Sequence, residues 1–194
     1  MEENYYLLKV ELTKIKPIIW RRILISDNTS LYQLHHIIQI SFGWLNYHLY
    51  YFKLDQKQWG NIDLWENDEP DFKISNDRLI KVKDILNEDR PILNYLYDMG
   101  DSWSHSIKLE KIIKKDSAIE VPVCLDGERS SPPEDCGGMP GFYDLIETLK
   151  KPRSREYKEI LEWLGYKYDP ELFEVEKINK NLKNLKKYIK EYEE

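Results

Sequence analysis

The chain is poor in cysteine, in long apolar runs and in surplus basic charge, and each shortage removes a class of protein. Two cysteines, Cys124 and Cys136, in 194 residues cannot staple a disulfide-dense scaffold, and neither belongs to a CxxC pair. In a reducing compartment they are expected to be thiols. No segment reaches the ~18 consecutive apolar residues of a membrane-spanning helix. The opening Met-Glu-Glu-Asn-Tyr-Tyr lacks the basic-then-apolar pattern of a secretory signal. A cytoplasmic protein without a membrane partner is therefore expected. Lys and Arg total 29 against 35 Asp and Glu, for a net charge of −6. That balance argues against a nucleic-acid partner, which needs surplus cations to displace counterions. Neither GxGxxG nor GxxxxGK[ST] occurs, so a phosphate-cradling nucleotide fold is not expected.

What is present suits a globular core. The chain is 41% hydrophobic, with 14 Tyr and 6 Trp, enough to bury a single domain over residues 1–194 without metal or disulfide support. Residues 5–12 and 18–25 are rich in β-branched and aromatic side chains and break at Pro17, which predicts two adjacent strands. Ser30 and Gln33 have capping-box spacing, Leu31, Leu34, Ile37 and Ile38 follow at helical intervals, and Gly43 closes the helix. Residues 48–54 and 59–64 read as further strands, and the acidic stretch 66–77 around Pro70 as an exposed loop. Residues 91–98 and 104–114 read as extended segments flanking the turn Met99-Gly100-Asp101-Ser102.

From residue 142 the pattern becomes helical. Helices are expected over 142–149, after Pro140-Gly141, and over 154–164, ended by Gly165. A last helix is expected to open at Asp169-Pro170. It carries Val175, Ile178, Leu182, Leu185, Ile189 and Tyr192 as an apolar seam. The seam docks on the domain's own sheet or joins two copies, leaving monomer or homodimer through the C-terminal helix open. The order of elements predicts an α+β fold: a mixed or mostly antiparallel sheet, helices packed on one face, and a helical C-terminal region. The strand-rich part covers about 1–141 and the helical part about 142–194. The lysines 177, 180, 183, 186, 187 and 190 read as a solvated face.

Two segments could carry chemistry. In Tyr97-Asp98-Met99-Gly100-Asp101-Ser102-Trp103-Ser104-His105, Asp98 and His105 could meet across a hairpin with Asp101 at its tip. A divalent metal would accept the carboxylates and the imidazole. Asp and Gly are also what a tight turn requires, and Trp103 also fits a core position. The second segment, 124–141, is expected to be a long irregular loop shaped by Pro132, Pro133, Gly137 and Gly138. It presents Asp126, Glu128, Arg129, Glu134, Asp135 and both thiols. Zinc on Cys124, Cys136 and His105 is one reading of its ligand types, although the spacing matches no standard zinc site. Nothing in the local sequence predicts a lowered thiol pKa, so nucleophilic cysteine catalysis is not expected. His35 and His36 are adjacent on a helix and do not share a face. His48, beside Trp44 and Tyr47, reads as a packed, hydrogen-bonded residue.

These residues carry a resemblance. Leu8-Lys9-Val10, Pro17-Ile18-Ile19-Trp20-Arg21-Arg22, Leu34-His35, Gly43-Trp44 and His48-Leu49 resemble the opening of the plasmid pRiA4b ORF-3-like family. Tyr97-Asp98-x-Gly100-Asp101-x-Trp103-x-His105, Pro132-Pro133-Glu134-Asp135-Cys136-Gly137-Gly138, Trp163-Leu164-Gly165 and Asp169-Pro170-Glu171-x-Phe173 complete it, over about residues 5–182. Where many members read His-Leu-His, this chain has His48-Leu49-Tyr50, which removes the second imidazole from any metal site built there. The resemblance implies an α+β fold and a place to look, but no activity. A resolvase label carried by some members fails on chemistry. A serine recombinase needs an arginine cluster for phosphoryl transfer, and Arg21, Arg22, Arg78, Arg90, Arg129, Arg153 and Arg155 are scattered.

Two functions remain. One is a binding module for a protein or small-molecule ligand, with Tyr97, Trp103, Glu128 and Arg129 as contact residues. The other is a divalent-metal-assisted hydrolase or nuclease. In it Asp98, Asp101 and Glu134 or Asp135 hold the cation and His105 is the general base. The metal candidates are Asp98, Asp101, His105, Cys124 and Cys136. The two readings separate on whether the carboxylates of the turn and of the Pro-Pro-Glu-Asp loop meet in space.

Overall fold

The computed structural model describes residues 3–65 and 73–194. Its strands are β1 (Asn4–Leu12), β2 (Trp20–Ser26), β3 (Tyr50–Leu54), β4 (Lys57–Gly60), β5 (Ile74–Asn76), β6 (Ile92–Tyr97), β7 (Trp103–Lys114) and β8 (Val123–Glu128). They form one sheet in the order β5-β4-β3-β6-β7-β1-β2-β8. The β4–β5 pair is parallel and every other pairing is antiparallel. The expected mixed, mostly antiparallel α+β architecture is what the chain adopts.

The sheet has a dry face and a wet one, as an antiparallel sheet allows. Along β6 and β7, Leu93, Tyr95, Tyr97, Trp103, His105, Ile107 and Leu109 are buried, while Lys108 and Glu110 on the opposite side are exposed. Arg22 on that outer side bridges Glu110 at 2.7 Å and Asp126 at 3.1 Å, pairs that in solvent contribute little to stability.

Helix α1 (Leu31–Phe42) covers the dry face. Its N-terminus is the expected capping box: Ser30 Oγ accepts from the Gln33 N–H and Gln33 Oε1 accepts from the Ser30 N–H. Gly43 ends it in the left-handed region at φ 73°. Every residue of α1 except Gln33 is buried, because helices α6 (Val175–Leu182) and α7 (Leu185–Glu193) pack on its far side. His35 therefore stacks on Tyr50 of β3 at 3.4 Å while His36 meets Tyr188 and Tyr192 of α7. Adjacent positions do point to different faces, but both faces are interior, so the two imidazoles are buried together.

Several expected boundaries shift. Residues 59–64 are not one strand: β4 stops at Gly60 and Ile62–Trp65 is a helical turn, α2, whose Asp63 N–H is capped by Asn61 Oδ1 at 3.2 Å. Of the expected loop 66–77, residues 66–72 lie outside the described residues, and Ile74–Asn76 pairs with β4. A short helix α3 (Val82–Ile85) follows. Helix α4 (Gly138–Leu149) begins before Pro140-Gly141, since the first turn leaves backbone N–H groups free and tolerates Pro. Helix α5 (Arg155–Leu164) has the expected ends, Ser154 and Gly165.

Asp169 opens only a turn, its Oδ1 accepting from the Glu171 N–H at 3.0 Å, and the last helix starts at Val175 and breaks after Leu182. Its seam docks within the chain, on α1 and on β8, the edge strand of the sheet. Leu182 and Leu185 are buried, with Val175, Ile178 and Ile189 packed beside them. Asn179 caps the β8 edge, its amide exchanging bonds of 2.7 and 2.8 Å with the backbone of Cys124. No helix among the described residues is long and apolar enough to cross a membrane.

Candidate functional site

The turn between β6 and β7 is built by Asp98. It sits at φ 61°, a conformation Asp tolerates because its side chain bonds locally. Its Oδ1 accepts from the Gly100 and Asp101 N–H groups at 2.8 and 3.2 Å. Its own N–H donates to Leu49 O at 2.9 Å, so the approach to β3 is pinned beside the turn. Oδ2 is left pointing the other way.

The irregular loop is shorter than the sequence suggests. Residues 123–128 are β8 and α4 starts at Gly138, so only residues 129–137 are irregular. Arg21, 3% exposed, organises them. Its guanidinium donates to Ser41 O, Trp20 O, Glu128 O, Arg129 O and Ser131 Oγ, between the rings of Phe42 and Phe173, each 5.0 Å away. Burial lowers its pKa to about 10, so it remains a cation at neutral pH. Trp44 Nε1 donates to Pro132 O at 2.9 Å, and Glu134 Oε1 accepts from the Leu45 N–H at 2.7 Å and the Tyr97 hydroxyl at 2.9 Å.

These anchors bring the turn and the loop together around His48. Its Nε2 lies 3.7 Å from Asp98 Oδ2, 3.8 Å from Glu134 Oε2 and 3.1 Å from Asp135 Oδ1. Ligand atoms of His48, Asp98 and Asp135 all fall within 4.8 Å of one another, and no other group of three His, Cys, Asp or Glu does so among the described residues. Burial pushes the Glu134 carboxyl above its ordinary value.

The other expected site residues are elsewhere. His105 is 1% exposed, enclosed by Phe42, Trp44 and Tyr95, and burial pushes its pKa down to about 3. It is neutral core, so it does not face the carboxylates as a general base. Trp103 is core as well, against Trp44 and Phe142. Asp101 stays out of the cluster and accepts from the Gly137 N–H at 3.2 Å. Arg129 pairs with Glu171, and Glu128 is exposed at the end of β8. Cys124, on β8, and Cys136, in the loop, do not gather with His105 into a three-ligand group. Burial pushes the two thiols up to about 11 and about 12, the opposite of a metal-binding or nucleophilic thiolate.

The turn and the loop touch at Gly138, where a Cβ would stand 2.8 Å from Asp101 O at φ 65°. Gly165 has a similar φ of 71° with nothing nearby. Gly165→Ala should cost about 1 kcal/mol, the backbone term alone, and Gly138→Ala about 2–3 kcal/mol. Urea unfolding of both variants checks this, and equal losses would mean the turn does not bear on the loop.

Beside the cluster runs a groove of about 720 Å³. Trp44, Leu45, Glu134 and Asp135 line it together with Trp163, Tyr166 and Leu172, and Arg21 also borders it. Trp163, Tyr166 and Leu45 are each more than half exposed, at 52%, 56% and 57%.

The turn and the loop singled out in the sequence do come together, but around His48 rather than His105, and the groove beside them had no signature along the chain. The register Tyr50↔Tyr97 is the signal that would have found His48: it sets residues 48–49 beside Asp98.

The model of the family described as plasmid pRiA4b ORF-3-like protein matches residues 4–177. The chain is similar to an uncharacterized protein, y4hQ, of Sinorhizobium fredii: 34% identical over 179 residues, covering 92% of this chain and 90% of the relative. It is also similar to the crystal structure of MM3350 from Methanosarcina mazei Go1, a protein of unknown function. That match has a TM-score of 0.81 at 31% identity and covers 91% of this chain and 97% of the other.

Proposed function

We propose, for a chain that belongs to the plasmid pRiA4b ORF-3-like protein family, the role of a binding module whose ligand lies in the groove beside the His48 cluster. The observation that supports it most is that Glu134 and Asp135 belong to both features, so the polar cluster and the aromatic-lined groove share residues. A volume of about 720 Å³ is in the range of small-molecule sites. Half-exposed Trp163 and Tyr166 offer flat apolar area at small entropic cost to a small molecule or an extended peptide.

The test is a thermal-shift screen with aromatic fragments and short Trp- and Leu-containing peptides, on the wild type and on Trp163→Ala/Tyr166→Ala. Both side chains are largely in solvent, so the variant should fold. Binders of the wild type should lose at least tenfold in affinity to the variant. A panel that shifts neither protein, or shifts both alike, removes the groove from this reading.

A second reading, metal-assisted hydrolysis, is favoured by one observation: carboxylates from the turn and the loop meet at a histidine, which a mere interaction surface does not require. There His48, Asp98 and Asp135 would hold the cation and Glu134 would be the general base. Turnover of bis(p-nitrophenyl) phosphate that needs Mn²⁺ and disappears in Glu134→Gln would move the assignment to this reading.

A further inference from the structure

We propose that His48, Asp98 and Asp135, backed by Glu134, bind a first-row divalent transition-metal ion. Bonds of about 2.0–2.2 Å from a metal to nitrogen and oxygen ligands put neighbouring ligand atoms about 3.0–3.5 Å apart. The distances from His48 Nε2 to the three carboxylates are 3.1, 3.7 and 3.8 Å, and the ligand atoms of His48, Asp98 and Asp135 all lie within 4.8 Å of one another. The carboxylates would draw in around the ion, most readily through the exposed Asp135.

Charge points the same way. Three carboxylates face one imidazole, and no Lys or Arg pairs with Asp98, Glu134 or Asp135 among the described residues. Like charges gathered in a partly buried site repel each other, and a divalent cation removes that repulsion.

The hydrogen-bond pattern is an independent observation. The Asp98 side chain is only 6% exposed, its Oδ1 is fully engaged by the turn, and Oδ2 accepts no hydrogen bond and points at His48. Two further atoms, His48 Nε2 and Glu134 Oε2, are buried without a hydrogen-bond partner. Buried polar atoms left unsatisfied are costly and therefore uncommon. Here two of them, His48 Nε2 and Glu134 Oε2, stand 3.8 Å apart with Asp98 Oδ2 3.7 Å from the imidazole, and one ion satisfies them together. The outer bonds complete the arrangement: the turn amides hold Asp98, and the Leu45 N–H and Tyr97 hydroxyl hold Glu134, as ligand-orienting partners do in metal centres.

The donor set selects the class of ion. An imidazole among carboxylates suits manganese, iron or zinc, whereas calcium and magnesium prefer oxygen alone. Asp135 is 65% exposed and borders the groove, so open coordination positions would face it. An oxygen donor of a groove ligand could then complete the shell, a step that rests on the proposed binding role.

The experiment uses the full chain, stripped with chelator and titrated with Zn²⁺ by calorimetry and Mn²⁺ by electron paramagnetic resonance. One ion per chain is expected. His48→Gln/Asp135→Asn should weaken it at least 100-fold while circular dichroism is unchanged, since both side chains are partly or largely exposed and Asn accepts the φ of 54° at position 135. No saturation below about 1 mM, or equal affinity in the double variant, overturns the site, and equal affinity for Mg²⁺ overturns the class of ion. Trp163→Ala/Tyr166→Ala should keep full metal affinity, so loss of the groove ligand with retained metal overturns the binding role and leaves the metal site standing.

Discussion

Arg21→Met is expected to lower the unfolding free energy by roughly 3–5 kcal/mol, the combined cost of leaving several backbone carbonyls without their donor. The side chain is 3% exposed and has no carboxylate partner among the described residues; backbone carbonyls carry its charge. Methionine would restore packing volume between Phe42 and Phe173 and avoid burying a charge. It would still leave Ser41, Glu128 and Arg129 carbonyls without their donor in a tight space, and such orphaned acceptors cost about 1–3 kcal/mol each. Arg21→Lys should recover little, because an ammonium cannot fan five N–H groups across a loop. The damage should be felt at the site as well: residues 128–131 are the platform from which Glu134 and Asp135 reach His48. Urea unfolding midpoints for both variants give the answer, and a methionine variant within 1 kcal/mol of wild type would show that Arg21 is dispensable.

The second large effect is acid lability. His35, His36 and His105 are buried, and desolvation holds their pKa values down, to about 4 for His36 and about 3 for His105. For His35 burial outweighs the Nε2–H bond to Asn46 Oδ1, which favours the charged ring, while the Tyr95 hydroxyl donates to a neutral Nδ1, the tautomer being assigned from these partners.

As pH falls through the ordinary histidine value of 6.5, the unfolded chain takes up three protons that the folded chain refuses. Stability from these groups is thus complete above about pH 6.5 and is lost on acidification, at about 1.4 kcal/mol per pH unit for each. Asp77 opposes this. Burial raises its pKa from 3.8 to about 6, so below pH 6 the folded state takes up a proton that the unfolded chain does not. Glu134, also raised by burial, acts in the same direction as Asp77, so the net loss should be about 2–3 kcal/mol per pH unit between pH 6 and 4, enough to unfold a domain of ordinary stability. Denaturant midpoints at pH 7.5, 6 and 5 measure it. His105→Gln, which removes one titrating ring, should flatten the slope by about a third to a half. A stability that stays level from pH 7.5 to 5 would contradict the burial of these rings.

How much of this could be read along the chain follows from where each interaction reaches. Both ends of α1 were legible because the Ser30–Gln33 capping box and the Gly43 terminus are contacts within a few residues. The β1–β2 pair and the β6–β7 hairpin were legible for the same reason, each being an alternating run beside a turn. Helix α4 was placed too late because Pro140 resembles a boundary, although a first-turn position has no N–H bond to lose. The C-terminal helix was drawn as one unit because its seam is periodic throughout, whereas it folds as α6 and α7 against α1 and β8.

The candidate site divides along the same line. The sequence by itself determined the family, the α+β class and the two polar segments, through short motifs whose backbone chemistry is local: an Asp that caps its own turn, a Pro-Pro-Glu-Asp stretch before a helix. Tertiary structure alone decided which histidine they meet. Alternation placed Tyr95, Tyr97, Trp103 and His105 on one face of the sheet, but only the packing of α1 made that face the interior and turned His105 into core. His48 became the centre because β3 pairs with β6 in one register, and because Glu134 crosses 89 residues to the Leu45 amide and 37 to the Tyr97 hydroxyl. Spacing along a chain specifies neighbours a turn away. Which polar groups converge depends on strand pairing and burial between distant segments, and that is settled only when the sheet closes over its helix.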